Sequence, residues 1–68
     1  MHDNTIRRLR KERRMTQQQV AEHLGIDRST YAYYESGRSK LNIDVLINLS
    51  EFYEVNLYTI LGKEIPNY

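Results

Sequence analysis

Apolar residues recur along this chain at helical spacing, and the polar positions between them carry the signals that start and stop helices. A first helix is expected from about Asn4 to Arg14, with Ile6 and Leu9 inward and Arg7, Arg8, Lys11 and Arg14 outward. Thr16 can cap a second helix, over 17–24, and Gln19 stands where a capping-box partner belongs. Val20, Ala21 and Leu24 fall on one face of it. Gly25 supplies the left-handed residue that ends a helix, and Ile26 anchors the turn. Asp27 can cap a third helix, over 28–36, whose inner face is Tyr31 and Tyr34 and which Gly37 stops. After the loop 38–42, a fourth helix over 43–53 carries the stripe Ile43, Leu46, Leu49, Ser50 and Tyr53. Val55 packs the next turn, and Asn56 caps a last helix over 57–61 with Leu57, Ile60 and Leu61, stopped by Gly62.

Period-two alternation is absent, so the expected class is all-α: five helices in one domain spanning 1–68. The expected core is Ile6, Leu9, Val20, Ala21, Leu24, Ile26, Tyr31, Tyr34, Ile43, Leu46, Leu49, Tyr53, Val55, Ile60 and Leu61. A chain of 68 residues is at the small end of what folds unaided, so its stability is expected to be modest. Helix, short glycine turn, helix is how a small protein places one exposed helix in the major groove of DNA.

Composition narrows the chemistry. Without cysteine there is no disulfide framework and no thiolate metal site, and His2 and His23 lack clustered partners. No metal, no cofactor and no catalytic residue is expected, since nothing pairs a nucleophile with a base. With no long apolar run and no leader-like start, the expectation is a cytoplasmic protein. The net charge of +1 hides an asymmetry: residues 1–40 hold nine Lys/Arg against five Asp/Glu, and residues 41–68 hold one against four. One part of the molecule is attracted to phosphate and the other is not, which suits docking on DNA by one face.

The run MTQQQVAEHLGIDRSTYAYYESG, continued by LNIDVLINLSEFYEVNLYTILG, resembles the lambda-type repressor and Cro helix-turn-helix family of bacterial and phage regulators. The likeness extends from about Ile6 to Gly62 and rests on several motifs in register. These are Thr16-Gln17, the Ala21 to Gly25 turn, Ser29-Thr30-Tyr31, Glu35-x-Gly37 and the closing Leu57 to Leu61 turn. The resemblance implies a compact five-helix DNA-binding domain that reads a pseudo-palindrome as a two-fold dimer. It places Gln17 on a phosphate at the start of the second helix, where free N–H groups already favour an anion.

Arg28, Ser29 and Tyr33 match family positions that face base edges, and helical spacing independently turns Arg28, Ser29, Ala32, Tyr33 and Ser36 outward. Arg28 can grip guanine O6 and N7 or, from the first position of the helix, a phosphate, and Ala32 can meet a thymine methyl. Arg38, Ser39 and Lys40 match the loop beside the DNA backbone, with Ser36 next to them as a further phosphate contact. Arg10 and Glu35 match a pair that ties the first helix to the third, so the resemblance gives them a structural role. The neighbouring arginines Arg7, Arg8, Arg13 and Arg14 are expected to form a solvated face that acts through charge alone.

Three features depart from the family pattern. Leu41 stands where proline or a polar loop residue is common, Glu54 stands where glycine is usual, and Tyr31, Tyr33 and Tyr34 make the third helix unusually aromatic. The leading expectation is a sequence-specific regulator of transcription, a repressor or autoregulator. The alternative is a protein-interaction module, an antitoxin or anti-repressor, on the same scaffold. With no further domain after the fold, dimerisation is expected to use its own surface, through Ile47, Phe52, Leu57 and Tyr58.

Overall fold

A computed structural model describes residues 5–62 as helices α1 (Thr5–Glu12), α2 (Gln17–Leu24), α3 (Arg28–Ser36), α4 (Ile43–Tyr53) and α5 (Leu57–Leu61). Among the described residues there is no strand, and no helix is long and apolar enough to cross a membrane. Asn4, the expected start of the first helix, and His2 lie outside the described residues. Helix α1 also stops earlier than expected. Arg14 takes a left-handed φ of 55°, and the Met15 N–H bonds back to the Arg10 carbonyl at 3.2 Å.

Helix α2 is closed at both ends by its own sequence. The Gln19 N–H donates to the Thr16 hydroxyl at 3.1 Å and the Thr16 N–H donates to the Gln19 side chain at 2.8 Å, a complete capping box. At the other end Gly25 has φ 71°, and the Ile26 N–H reaches the Ala21 carbonyl at 3.0 Å. Nothing lies within 4 Å of where a Gly25 Cβ would stand, so glycine is required there for its backbone and not for space. Asn42 and Asn56 cap α4 and α5, accepting from the N–H of Val45 and Thr59. Asp27 differs from expectation. Its backbone has the N-cap conformation, but its exposed carboxylate makes no capping bond and stays in water.

The core is Ile6, Leu9, Val20, Ala21, Tyr31, Leu46, Leu49, Tyr53 and Ile60, with Leu24, Ile26, Tyr34 and Val55 half-buried around it. Ile43 and Leu61, expected inside, are 62% and 46% exposed. Each begins or ends a helix at the rim of the bundle, where its face of the helix has run past the neighbouring elements. Met15, Phe52 and the unusual loop residue Leu41 pack against the core instead. Tyr31 and Tyr53 are fully buried and satisfy each other through a 2.9 Å hydroxyl–hydroxyl bond.

Helix α4 ends on Glu54 with φ 57°, the Val55 N–H closing the turn on the Ser50 carbonyl at 3.0 Å. The turn the family makes with glycine is thus made here by a residue that bears a Cβ. A left-handed L-residue costs about 1–2 kcal/mol, and glycine returns part of that as unfolded-chain entropy. Glu54→Gly is therefore expected to stabilise the domain by up to about 1 kcal/mol. A urea midpoint that rises at unchanged slope would show this, whereas an unchanged or lower midpoint would show that the position carries no strain.

Candidate nucleic-acid interface

Helix α3 breaks the usual charge rule at both ends. Its first residue is the cation Arg28, its last turn holds the anion Glu35, and no acid follows the cap or base precedes the stop. Each charge faces the like-signed end of the helix dipole, so each requires a partner from another element. The structure supplies both.

Glu35 is 3% exposed. Its two carboxylate oxygens receive Nε and Nη2 of Arg10 from α1 at 2.7 and 3.2 Å, a bidentate pair. The remaining Arg10 nitrogen, Nη1, donates to the Met15 carbonyl at 2.9 Å, which pins the loop between α1 and α2. Gln17, the first residue of α2, donates Nε2 to Glu35 at 3.2 Å and accepts from Arg28 Nη1 at 3.2 Å. One buried carboxylate thus gathers α1, α2 and α3, and its reach ends at an exposed guanidinium on the first turn of α3. Burial pushes the Glu35 carboxyl up, but hydrogen bonds from Arg10, Tyr31 and Gln17 outweigh it and hold the carboxyl below its ordinary value. The hydrogen bond to Glu35 raises Arg10 in turn. Burial raises both Tyr31 and Tyr53.

The outer face of α3 lies beside this chain of bonds. Arg28, Ser29, Tyr33 and Ser36 are exposed and Ala32 is half-buried. A cleft of about 160 Å³ between α1, the start of α2 and α3 is lined by Arg7, Arg10, Gln17, Ala32, Glu35 and Ser36. Arg7, expected only as part of a charged surface, therefore opens onto the same face. The N-terminus of α2 carries no acidic side chain in its first turn, and although Thr16 takes the Gln19 N–H, the positive end of the helix dipole still favours an anion there.

Beyond α3 the loop folds back on itself. The Ser36 hydroxyl donates to the Tyr33 carbonyl at 3.2 Å and accepts the Arg38 N–H at 3.4 Å. The Ser39 N–H donates to the same carbonyl at 3.2 Å. Ser36 thus spends its hydroxyl proton on the turn, Ser39 is half-buried, and Arg38 and Lys40 stand exposed.

Some contacts had no signal in the sequence. Arg13 does more than present charge: Nη1 donates to the Leu9 carbonyl at 3.0 Å and Nη2 to the Tyr53 carbonyl at 2.7 Å, with the guanidinium 5.1 Å from the Tyr53 ring centre. It ties the end of α1 to the end of α4, where a cation suits the free carbonyls. Exposed His23 sets its ring against Phe52 at 5.0 Å. Phe52 is in turn half-buried on Tyr53, not free on the surface as expected. Arg38 lies over the Tyr33 ring, 5.1 Å from its centre.

The helix-turn-helix family model matches residues 6–60. The chain belongs to the lambda-type helix-turn-helix family. Among its relatives, the HTH-type transcriptional regulator YobD of Bacillus subtilis is 39% identical over 91% of this chain and 55% of its own length. The transcriptional repressor RstR of the cryptic phage CTXphi, from Vibrio cholerae, is 31% identical over 98% of this chain and 60% of its own length. Repressor protein C of Escherichia phage P2 is 36% identical over 76% of this chain and 52% of its own length. The chain spans between half and two thirds of the length of these curated relatives. In structure it matches a transcriptional regulator from Listeria innocua with a TM-score of 0.84 and 30% identity, covering all of this chain and 65% of the other. The family is one of DNA-binding regulators of transcription and not of enzymes.

Proposed function

We propose that this domain binds double-stranded DNA as a sequence-reading regulator of transcription, a repressor or autoregulator, with α3 in the major groove. The observation that carries the reading is the chain Arg10–Glu35–Gln17–Arg28, which holds an exposed guanidinium at the leading end of an outward polar face. A cation placed against its own helix dipole is unfavourable locally, and such a conflict points to function. Two of the relatives above are named as phage repressors, which supports the same reading.

In this arrangement Arg28, Ser29 and Ala32 meet base edges, and Tyr33 stands beside them toward the loop. The backbone of Gln17, together with Arg38, Ser39 and Lys40, meets phosphates. Ser36 shapes the loop between the two sets. Binding is as a two-fold dimer with half-sites about 34 Å apart. Ile47, Leu57 and Tyr58, exposed by 39%, 37% and 38%, supply the apolar contact between copies.

Selection of bound duplexes from a randomised pool at two salt concentrations tests the reading. A palindromic motif that survives the higher salt is expected; recovery of no motif would leave charge attraction alone and favour a protein partner. On the selected duplex, Arg28→Ala is expected to relax preference at one base position, a loss of about 1–3 kcal/mol in discrimination, with the fold intact. A uniform loss on every sequence would instead assign Arg28 to a phosphate.

A further inference from the structure

We propose that Tyr33 acts as a positioning residue for Arg38: the two form a preassembled cation–π unit that presents the guanidinium edge to a single DNA backbone phosphate. The inference rests on the DNA-binding reading above and adds a role for a neutral side chain within it.

The geometry is built, not incidental. Arg38 Cζ lies 5.1 Å from the Tyr33 ring centre, within the range of a cation–π contact. The backbone that carries Arg38 is held against Tyr33 by three hydrogen bonds, two of them to the Tyr33 carbonyl. The Ser36 hydroxyl and the Ser39 N–H both donate to the Tyr33 carbonyl, and the Arg38 N–H donates to Ser36. A loop residue that is otherwise free to sample solvent is thereby returned over the ring of a helix residue.

Arginine stacks through its flat face and hydrogen-bonds through its edge, so the ring occupies one without blocking the other. Among the described residues Arg38 forms no ion pair and donates no side-chain hydrogen bond, which leaves its planar fork open. A fork held in this way matches two phosphate oxygens and loses less freedom on docking than a mobile side chain. Tyr33 is 44% exposed and lies on the same outward face as Arg28 and Ser29, so the unit stands at the edge of the surface proposed to enter the groove.

Salt dependence separates this role from an independent contact. Each neutralised phosphate adds about 0.9 to the slope of log K against log salt, and removing an uncharged side chain by itself leaves that slope alone. Binding to a mixed-sequence duplex is sufficient, because a phosphate contact does not depend on sequence. Arg38→Ala is expected to reduce the slope by about one. Tyr33→Leu, though neutral for neutral, is expected to reduce it by most of the same amount. The double variant is expected to lose no more than Arg38→Ala alone, and Tyr33→Phe, which keeps the ring, to keep the parent's slope.

A Tyr33→Leu slope equal to the parent's, additive losses in the double variant, or a Tyr33→Phe slope as low as that of Tyr33→Leu would each overturn the proposal. The free protein provides a second readout that does not need DNA. The Arg38 side-chain methylene resonances are expected upfield from the ring current and to move back in Tyr33→Leu; ordinary shifts in the parent would overturn preassembly. If the ring shifts are present but the parent binds no duplex in a salt-dependent way, the phosphate role falls together with the DNA-binding reading. Salt-dependent parent binding with an unchanged Tyr33→Leu slope overturns the coupling alone.

Discussion

Replacing Glu35 with alanine is expected to cost about 3–5 kcal/mol, the penalty for removing one partner of a buried ion pair. A domain of this length has in all about 3–10 kcal/mol, at 0.05–0.15 kcal/mol per residue, so the variant sits near or beyond unfolding. The cost comes less from the lost attraction than from what is left behind. Arg10 would keep a guanidinium that is 12% exposed, with only the Met15 carbonyl to accept from it. Removing both charges together, as Arg10→Met with Glu35→Leu, is expected to cost less than Glu35→Ala alone, because apolar partners of similar volume leave no stranded charge. Urea denaturation of the single and double variants measures both; a double variant worse than the single one would show that the pair is net stabilising.

The same pair sets the acid limb of the stability profile. The folded Glu35 carboxyl lies below its ordinary value of 4.5, so the unfolded chain takes up its proton first as pH falls. Its contribution is complete above about pH 5 and is lost progressively as pH drops through the folded value. Tyr31 and Tyr53 act at the other limb. Their folded hydroxyls are raised above the ordinary 10.0, so the unfolded chain loses protons first and stability falls as pH climbs past about 10. The expected curve is a plateau with two shoulders. Glu35→Gln is expected to flatten the acid shoulder and to weaken the alkaline one only in part, because burial, the largest cause at Tyr31 and Tyr53, remains when the Glu35 charge is gone.

Leu49→Ala is expected to cost about 2–5 kcal/mol, the range for opening a cavity in a closed core. Leu49 has no exposed surface and sits on the α4 stripe between Leu46 and Tyr53, at the centre of the buried cluster. The matched substitutions Ile43→Ala and Leu61→Ala, on side chains with the same helical spacing but 62% and 46% exposed, are expected to stay within about 0.5 kcal/mol. Thermal or urea midpoints of the three variants rank them directly. An Ile43→Ala loss as large as that of Leu49→Ala would mean that α4 buries its first turn against something outside the described residues.

The contrast between Leu49 and Ile43 shows where sequence reasoning ends. Helix limits are local: the Thr16–Gln19 capping box, the Asn42 and Asn56 caps and the left-handed Gly25, Gly37 and Gly62 act within a few residues of themselves. Those elements were therefore legible in the chain, as was the inward turn of Tyr31 that sends Arg28, Ser29 and Tyr33 outward. Periodicity, however, says which face of a helix is apolar and not how far along the helix its neighbours extend. Ile43 and Leu61 keep the period and still lie at the rim.

By itself, then, the sequence determined an all-helical chain, its helix-turn-helix centre and the outward face of α3, because each follows from short-range spacing, and its motifs carried the resemblance to the family. Only the tertiary structure decided that Gln17 bridges Glu35 and Arg28, that Arg13 caps the Tyr53 carbonyl at the end of α4, and that Phe52 packs against the core and the His23 ring. It also decided that Tyr33 lies under Arg38. Arg13, for example, finds its acceptor at Tyr53, 40 positions along the chain. Several arginines in this sequence have the same local surroundings, and what separates a solvated one from a structural one is which distant carbonyl or carboxylate the fold brings within reach.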